Sequence, residues 1–340
     1  MNQSINRRLS EWVQSVWYGK KPVAYLFLPF SALFCVVAIT RRFLYRIGLK
    51  KSVQLPVPVI VVGNITVGGT GKTPFTVWLA NYLKKKGYRP GIISRGYGGK
   101  ASQWPQQVRP DSDPRTVGDE ALIISRATHC PMAVGPDRVS TAQALLEHTD
   151  CNIILSDDGL QHYALQRTVE IAVLDGVRRL GNGFCLPAGP LRELASRLDK
   201  IDMVVTNGLP SGGEVGMHLE GDIAVNLQDG VTTRKLQSFG FGGVPIIALA
   251  GIGNPERFFD YLRESGLEFK SRAFPDHHKF SRADFDSSEK AVVLMTEKDA
   301  VKCKLFATGK EWYVPVKAVL DSQAGEQITH LLEEKSHFAR

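Results

Sequence analysis

The feature that most constrains this chain is a glycine-rich stretch that lies between an apolar run and a helical pattern. The stretch consists of Thr66, Val67, Gly68, Gly69, Thr70, Gly71, Lys72 and Thr73. The apolar run before it, residues 57–62, is typical of a buried parallel strand. Residues 74–86 carry apolar side chains at helical spacing. Strand, glycine-rich turn and helix together are the context of a phosphate-binding loop.

The chemistry of such a loop follows from its backbone. Glycines let several N–H groups curl around an anion, and the helix N-terminus adds partial positive charge. Lys72 is then expected to reach the β- and γ-phosphates of ATP, and Thr73 to offer its hydroxyl to Mg²⁺. The general pattern begins with glycine, whereas this chain has Thr66, so Gly68 and Gly69 must supply the turn.

The charge is concentrated at one end of the chain. Residues 1–51 contain nine Lys or Arg against one Glu, which equals the net charge of +8 for all 340 residues. The remainder is formally neutral, which argues against nucleic acid as the main partner, because nucleic-acid binding needs a basic face on the folded domain. Five scattered cysteines without a C-x-x-C pair indicate a reducing compartment and no structural metal site.

This N-terminal arm, residues 1–51, also contains eighteen uncharged residues at 23–40. As a helix they would extend about 27 Å at ~1.5 Å per residue, slightly less than a bilayer core of ~30 Å. Basic pairs bracket the run at both ends, so a span would place one pair on the wrong side. We therefore expect the arm to lie on an anionic membrane surface, with a span or a buried core helix as the alternatives.

From residue 57 onward strands alternate with helices, which indicates parallel sheets with helices on their faces. The predicted fold class is α/β: a P-loop NTPase-like parallel-sheet domain plus a smaller α/β domain, with an N-terminal membrane-associated helix. The expected boundaries are 1–51 for the arm, 52–215 for the phosphate-loop domain, 216–242 for a β linker and 243–340 for the smaller domain. We also predict a helix that begins within residues 189–193.

Several polar residues are expected at the carboxyl ends of strands, where ligands of such sheets bind. A predicted strand at 151–156 leads into Asp157 and Asp158. A carboxylate in this position, downstream of a phosphate loop, commonly holds Mg²⁺ or its water. The plain alternative is an Asp turn that ends the strand.

The motifs in this order resemble the tetraacyldisaccharide 4′-kinases, the lipid A 4′-kinases of Gram-negative bacteria. The matching stretches are residues 68–74 (GGTGKTP), 94–99 (SRGYGG), 118–120 (GDE), 157–162 (DDGLQH), 189–193 (GPLRE), 276–278 (DHH) and 296–299 (TEKD). The DDGLQH and GPLRE stretches are specific to that family, and Thr66 is its usual residue.

The resemblance implies transfer of the γ-phosphate of ATP, with Mg²⁺, to the 4′-hydroxyl of an acylated glucosamine disaccharide 1-phosphate at the cytoplasmic face of the inner membrane. It also implies two α/β domains that close on each other, with no obligate protein partner inferred. The implied base is Asp119 and its partner His277. The metal candidates are Thr73, Asp157, Asp158 and Glu193, and the phosphate or substrate candidates are Arg138, Gln161, His162 and Arg192.

Three points stay open at this stage. His162 competes with Asp119 and His277 for the role of base, and His278 stands beside His277. A nucleotide-switch ATPase is a second class, although Val67 replaces the extra lysine of related loops and Lys298 is adjacent to Asp299 rather than spaced as in an [NT]-K-x-D motif. A membrane-tethering module that binds ATP only structurally is a third.

Overall fold

The computed structural model describes residues 9, 12–19, 21–240, 243–276, 278–285 and 291–337. These residues form two compact units. One contains the described residues of 8–218 and 318–340, and the other contains those of 219–317.

The first unit is built around a sheet of nine strands in the described residues. The strands are β1 Val59–Gly63, β2 Pro90–Ser94, β3 Gln106–Gln107, β4 Met132–Val134, β5 Ile153–Asp157, β6 Val169–Asp175, β7 Met203–Asn207, β8 Val215–Glu220 and β15 Lys317–Leu320. Their order is β15-β8-β7-β6-β1-β5-β2-β4-β3. The seven from β8 to β4 are parallel, so their carboxyl ends meet at one edge.

Helices cover this sheet. They are a 3-10 helix Pro22–Phe27, α1 Leu28–Arg46, α2 Lys72–Lys85, α3 Pro114–Val117, α4 Asp119–Thr128, α5 Arg138–Glu147, a 3-10 helix Ala195–Lys200 and α8 Ser322–His337. Residues 12–18 are also helical. Every residue of β1 and β5 is buried, as expected of strands with helices on both faces.

The last helix, α8, completes the core of this first unit. Its apolar side chains Ala324, Ile328 and Leu332 are almost wholly buried. A Cβ at Gly325 would lie 2.3 Å from the ring of Tyr82 on α2, so only glycine permits this close packing. Lys335 Nζ lies 2.5 Å from Asp202 Oδ1, immediately before β7. The unit therefore depends on chain from both sides of residues 219–317.

The second unit has a six-stranded sheet in its described residues. Its strands are β9 Ile223–Asn226, β10 Thr233–Lys235, β11 Ile246–Ala250, β12 Lys270–Ala273, β13 Val292–Thr296 and β14 Glu311–Val314, in the order β10-β9-β14-β13-β11-β12. The helices α6 Pro255–Glu264 and α7 Glu297–Cys303 accompany it, with 3-10 turns at Leu236–Phe239, Arg282–Asp284 and Lys304–Phe306. The predicted fold class, α/β with large parallel sheets, is confirmed.

The prediction of a helix that begins within residues 189–193 is wrong. This segment is irregular, and the next helical residues are Ala195–Lys200. Its backbone instead bonds to the glycine-rich loop, because Arg192 N–H donates to Ile65 O at 2.7 Å and Pro190 O accepts from Val67 N–H at 2.9 Å. Tertiary hydrogen bonds have replaced the bonds within a helix that the local sequence favours.

Candidate functional site

The phosphate loop, residues 64–71, connects β1 to α2. Gly71 has a φ of 98° and directly precedes the helix. A Cβ at Gly71 would lie 2.6 Å from Asn207 Nδ2, which donates to Thr70 O at 3.2 Å from the end of β7. Only glycine therefore fits at this position, and the loop enters the helix at a fixed angle.

Two cations and one carboxylate meet beside the loop. Lys72 Nζ lies 3.5 Å from Asp158 Oδ1, and Arg192 Nη1 donates to both Asp158 oxygens at 3.2 Å. Burial opposes ionisation of Asp158, but the ammonium of Lys72 and the guanidinium of Arg192 prevail and lower its pKa to about 2. The fold therefore brings Lys72, Asp158 and Arg192 together into one charged cluster.

Asp157 lies at the end of β5 and is 1% exposed. Thr76 Oγ1 donates to its Oδ1 at 3.3 Å, and Ser94 Oγ donates to its Oδ2 at 3.2 Å. Burial, followed by the nearby charges of Glu120 and Asp158, raises the pKa of Asp157 to about 7. This buried carboxyl lacks enough nearby positive charge to remain ionised below neutral pH, and a bound cation would supply it.

Thr73 lies in the first turn of α2 and is half-buried. Its hydroxyl and the carboxylates of Asp157 and Asp158 are hard oxygen ligands, the type that Mg²⁺ prefers. Within the described residues, no three His, Cys, Asp or Glu side chains converge as a metal site. A magnesium ion here would keep several waters and use few protein ligands, which is its usual behaviour.

Arg138 and His162 are engaged with each other and with the backbone. Arg138 is 2% exposed, and its guanidinium donates to Gly135 O at 2.9 Å and to Asp157 O at 3.1 Å. Its backbone N–H donates to His162 Nε2 at 3.3 Å. Burial and the positive charge of Arg138 lower the pKa of His162 to about 4, so this imidazole is neutral at pH 7.

Gln161 and Glu193 belong to a second buried network. Gln161 Nε2 donates to Glu193 Oε1 at 2.8 Å and to Asn64 O, at the start of the phosphate loop, at 3.0 Å. The hydroxyl of Tyr163 donates to Glu193 Oε2. Both carboxylate oxygens of Glu193 are thus engaged by protein donors, and the network connects the DDGLQH and GPLRE stretches to the loop.

Asp119 is the first residue of α4 and is half-buried. A Cβ at Gly118, which has a φ of 91°, would lie 2.5 Å from Tyr97 O, so glycine is required where the turn after β2 meets the helix. The N-terminus of a helix carries partial positive charge. Glu120, the next residue, is close enough for its charge to raise the pKa of Asp157.

The expected partner of Asp119, His277, lies outside the described residues. Its neighbour His278 is buried in the second unit, with Nε2 3.3 Å from Asp284 Oδ2. The rings of Phe274 and Phe280 lie 4.5 and 4.7 Å from the His278 imidazole. These contacts give His278 a role in packing its own unit.

The sequence interpretation missed three partners of the site. Thr76 and Ser94 bond Asp157, and Tyr163 bonds Glu193. Ser94 could have been found, because it directly follows the apolar pair Ile92 and Ile93, a pattern typical of a strand end, and strand ends converge in a parallel sheet. The aromatic hydroxyl of Tyr163 carried no comparable signal.

Comparison with known proteins adds independent findings. The family model described as tetraacyldisaccharide-1-P 4′-kinase matches residues 23–333. A tetraacyldisaccharide 4′-kinase of Nitrosococcus oceani is 52% identical over 325 residues, which cover 96% of this chain and 95% of the relative. The enzyme of the same name from Methylobacillus flagellatus is 45% identical, over 98% of this chain and all of its own length.

A solved structure gives a similar result. LpxK from Aquifex aeolicus, crystallised in complex with ATP, superposes with a TM-score of 0.76 at 29% sequence identity. The match covers 91% of this chain and 99% of that one.

Proposed function

Since the chain belongs to the tetraacyldisaccharide-1-P 4′-kinase family, we propose how its own residues bind the substrates and move the phosphoryl group. The protein is an ATP-dependent kinase of the lipid A pathway that acts at the 4′ position of a tetraacyldisaccharide 1-phosphate. In our proposal the phosphate loop binds ATP, the carboxylates beside it hold the metal, and the start of α4 supplies the base.

The observation that carries the proposal is the charged cluster of Lys72, Asp158 and Arg192 at the phosphate loop. Lys72 and Arg192 neutralise the charge of the γ-phosphate. The γ-phosphate oxygens then accept the contacts that these two cations make with the Asp158 carboxylate in this structure. Phosphoryl transfer needs alignment and charge neutralisation more than covalent participation by the protein. The backbone N–H groups of residues 68–73 hold the β-phosphate, and the N-terminus of α2 adds its partial charge.

For the metal we propose Thr73 and Asp157 as the principal candidates, with Asp158 close by. When bound, Mg²⁺ neutralises charge on the β- and γ-phosphates. The raised pKa of Asp157 supports this choice, because its buried charge needs a cation. Glu193 is also a metal candidate from the sequence, but its bonds to Gln161 and Tyr163 favour a positioning role for it.

We assign the base to Asp119, with His277 as its partner. The acceptor oxygen forms a bond to the γ-phosphorus, the bond to the bridging oxygen of ADP breaks, and the hydroxyl proton passes to the base. His162 is less suitable, because its Nε2 already accepts from the Arg138 N–H. Arg138 bonds main-chain oxygens and supports the end of β5, so we give it the role of stabilising the phosphate site from behind.

The proposed function is tested directly by incubating the purified protein with ATP, Mg²⁺ and the lipid acceptor in detergent. We expect a product that carries one new phosphate at the 4′ position and one ADP for each product formed. ATP consumption without lipid phosphorylation would instead favour the nucleotide-switch alternative.

The pKa of Asp157 gives a prediction on stability in the absence of metal. The folded-state pKa of about 7 is above the ordinary value of 3.8, so the protein loses stability as pH rises toward and through 7. The Asp157→Asn variant lacks this loss. Relative to the variant, the wild type should lose about 2–3 kcal/mol of unfolding free energy between pH 5 and pH 8. Urea unfolding in EDTA at both pH values measures it.

The control for this experiment is the same pair of proteins with saturating Mg²⁺ and ATP. A cation beside Asp157 should remove most of the pH-dependent difference. An equal stability difference at pH 5 and pH 8 without metal would contradict the assignment of a protonated, buried Asp157.

We further propose that the N-terminal arm docks on the cytoplasmic face of the inner membrane without crossing it. The candidate segment Pro22–Arg46 is the one described helix long and apolar enough to cross a membrane. It contacts the rest of the first unit near both ends: the rings of Tyr25 and Phe184 lie 5.9 Å apart near its start, and those of Tyr45 and Tyr163 lie 6.0 Å apart near its end. A helix fastened at both ends to one folded body keeps both ends on one side.

The other face of α1 supports membrane contact. Leu33 and Val37 are 63% and 59% exposed, and such exposed apolar faces mark interaction sites. The pair Arg41 and Arg42 follows the apolar run, and each basic residue near an anionic surface contributes ~1 kcal/mol. Apolar burial adds roughly 25 cal/mol per Å².

The topology follows from labelling. A single Cys before Asn6 and, separately, one after Lys51 should both resist a membrane-impermeant thiol reagent in intact cells. High salt alone should leave the protein on membranes, because the apolar contribution is not screened, whereas detergent should release it. Labelling from the periplasm at either position would demonstrate a span and reject interfacial docking.

A further inference from the structure

The irregular segment at residues 184–192, here called the strap, lies between the N-terminal arm and the phosphate loop. On the arm side, Ser31 of α1 is 4% exposed, and its Oγ donates to Cys185 O at 2.8 Å. The indole Nε1–H of Trp17 donates to Pro187 O at 3.0 Å. An N-terminal arm that served only as a membrane anchor would not need these hydrogen bonds to the strap.

On its other side the strap is bonded to the phosphate loop. Pro190 O accepts from Val67 N–H at 2.9 Å, and Arg192 N–H donates to Ile65 O at 2.7 Å. The same backbone therefore fixes the first half of the loop and the origin of the Arg192 side chain, which reaches Asp158. A displacement of the strap would move both the loop and one of its cations.

The strap is also bonded internally, so it can transmit a displacement. Leu186 N–H donates to Leu191 O at 2.9 Å, and Gly189 N–H donates to Cys185 O at 3.0 Å. Asn182 Nδ2 donates to Ala188 O at 2.9 Å from the preceding turn. These hydrogen bonds hold the two ends of the strap together.

A second, direct contact joins the arm to the loop. The hydroxyl of Tyr18 donates to Val67 O at 3.3 Å, and the guanidinium of Arg178 lies over the Tyr18 ring at 5.0 Å. The peptide groups of Val67 are thus held on both sides, its N–H by the strap and its carbonyl by the arm.

We infer that Ser31 and Trp17 are positioning residues for the phosphate loop, so that the N-terminal arm contributes to ATP binding as well as to membrane docking. This rests on the proposed function, because it takes the loop as the ATP phosphate site. The outward face of α1 contacts the bilayer. Its inner face bonds the strap and thereby positions the loop that binds the nucleotide. Loss of an inner-face hydrogen bond weakens ATP binding even where no membrane is present.

The test measures nucleotide affinity in detergent micelles without the lipid acceptor. Ser31→Ala and Trp17→Phe each remove one donor, and the Phe variant keeps an aromatic ring. We expect each to weaken ATP binding about three- to tenfold, the effect of one hydrogen bond. In the kinase assay the KM for ATP should rise by the same factor, while kcat at saturating ATP and the KM for the acceptor stay near wild type.

The matched controls are Leu33→Ser and Val37→Ser, on the outward face of α1, the helix that also contains Ser31. They should weaken binding to vesicles that contain anionic lipid but leave ATP affinity unchanged, whereas Ser31→Ala and Trp17→Phe should do the reverse. Thermal melting of every variant separates a local effect from general unfolding.

Two results would overturn the inference. ATP affinity that is unchanged in both Ser31→Ala and Trp17→Phe would show that the strap does not position the loop. An equal loss of ATP affinity in Ser31→Ala, Leu33→Ser and Val37→Ser would show a general effect of α1. Wild type and Lys72→Ala in the same titration test the proposed function separately: if they bind ATP equally well, the assignment of the loop fails first.

Discussion

Lys72→Ala should lower kcat by at least about 10²- to 10³-fold, the cost of removing one positioned charge from a transition state, with no comparable loss of stability. The reason is that Lys72 supplies half of the positive charge that faces Asp158 and, in the proposed complex, the γ-phosphate. The fold should survive, because Asp158 keeps both hydrogen bonds from Arg192. Steady-state kinetics at saturating ATP and thermal melting measure the two effects.

Lys85→Ala is the matched control for this experiment. Lys85 lies at the other end of α2 and is exposed, so its loss removes the same charge without touching the loop. Turnover in Lys72→Ala close to that of Lys85→Ala would mean that the loop has been assigned wrongly. Thr73→Ala should also lose activity, and part of that loss should return at high Mg²⁺.

Asp119→Ala and His277→Ala should each lower kcat by about 10²- to 10⁴-fold, the usual contribution of general base catalysis. Asp119 is the first residue of α4, where the helix N-terminus carries partial positive charge. If the two residues act as one proton-transfer pair, the double variant should lose little more than the worse single variant. Single-turnover kinetics of all four proteins give the comparison.

Two other residues, Glu120 and His162, serve as controls for that pair. Glu120→Gln keeps the helix start and should leave kcat within a few fold of wild type. His162→Gln removes the competing imidazole, and we expect a smaller loss than in Asp119→Ala. Fully multiplicative losses for Asp119 and His277 would show that they act separately, and a larger loss at His162 would transfer the role of base to it.

Much of the fold could be predicted because local pattern and tertiary structure agree there. The apolar run 57–62 and the helical pattern at 74–86 correspond to the strand Val59–Gly63 and the helix Lys72–Lys85. The strand predicted at 151–156 is Ile153–Asp157, and Asp157 ends it as expected. The phosphate loop was equally clear, since its glycines and Lys72 stand directly between a strand and a helix.

The rest depended on contacts between residues distant in sequence. Residues 189–193 have the composition of a helix start, yet their backbone bonds to the loop more than 120 residues earlier. Glu193 suggested a metal ligand, but Tyr163 and Gln161 use its oxygens. Sequence shows which residues carry chemistry, whereas only the packing shows which of their atoms are already engaged.

The position of α8 has a consequence for biosynthesis. Because residues 219–317 form their own unit and α8 returns to the first, the ribosome finishes the second unit before the first can close. The arm leaves the exit tunnel early, with its apolar residues exposed. The core of the nucleotide-binding unit is completed only when Ile328 and Leu332 of α8 have been synthesised and packed into it. The N-terminal arm of the nascent chain can therefore bind the membrane before the ATP site is complete.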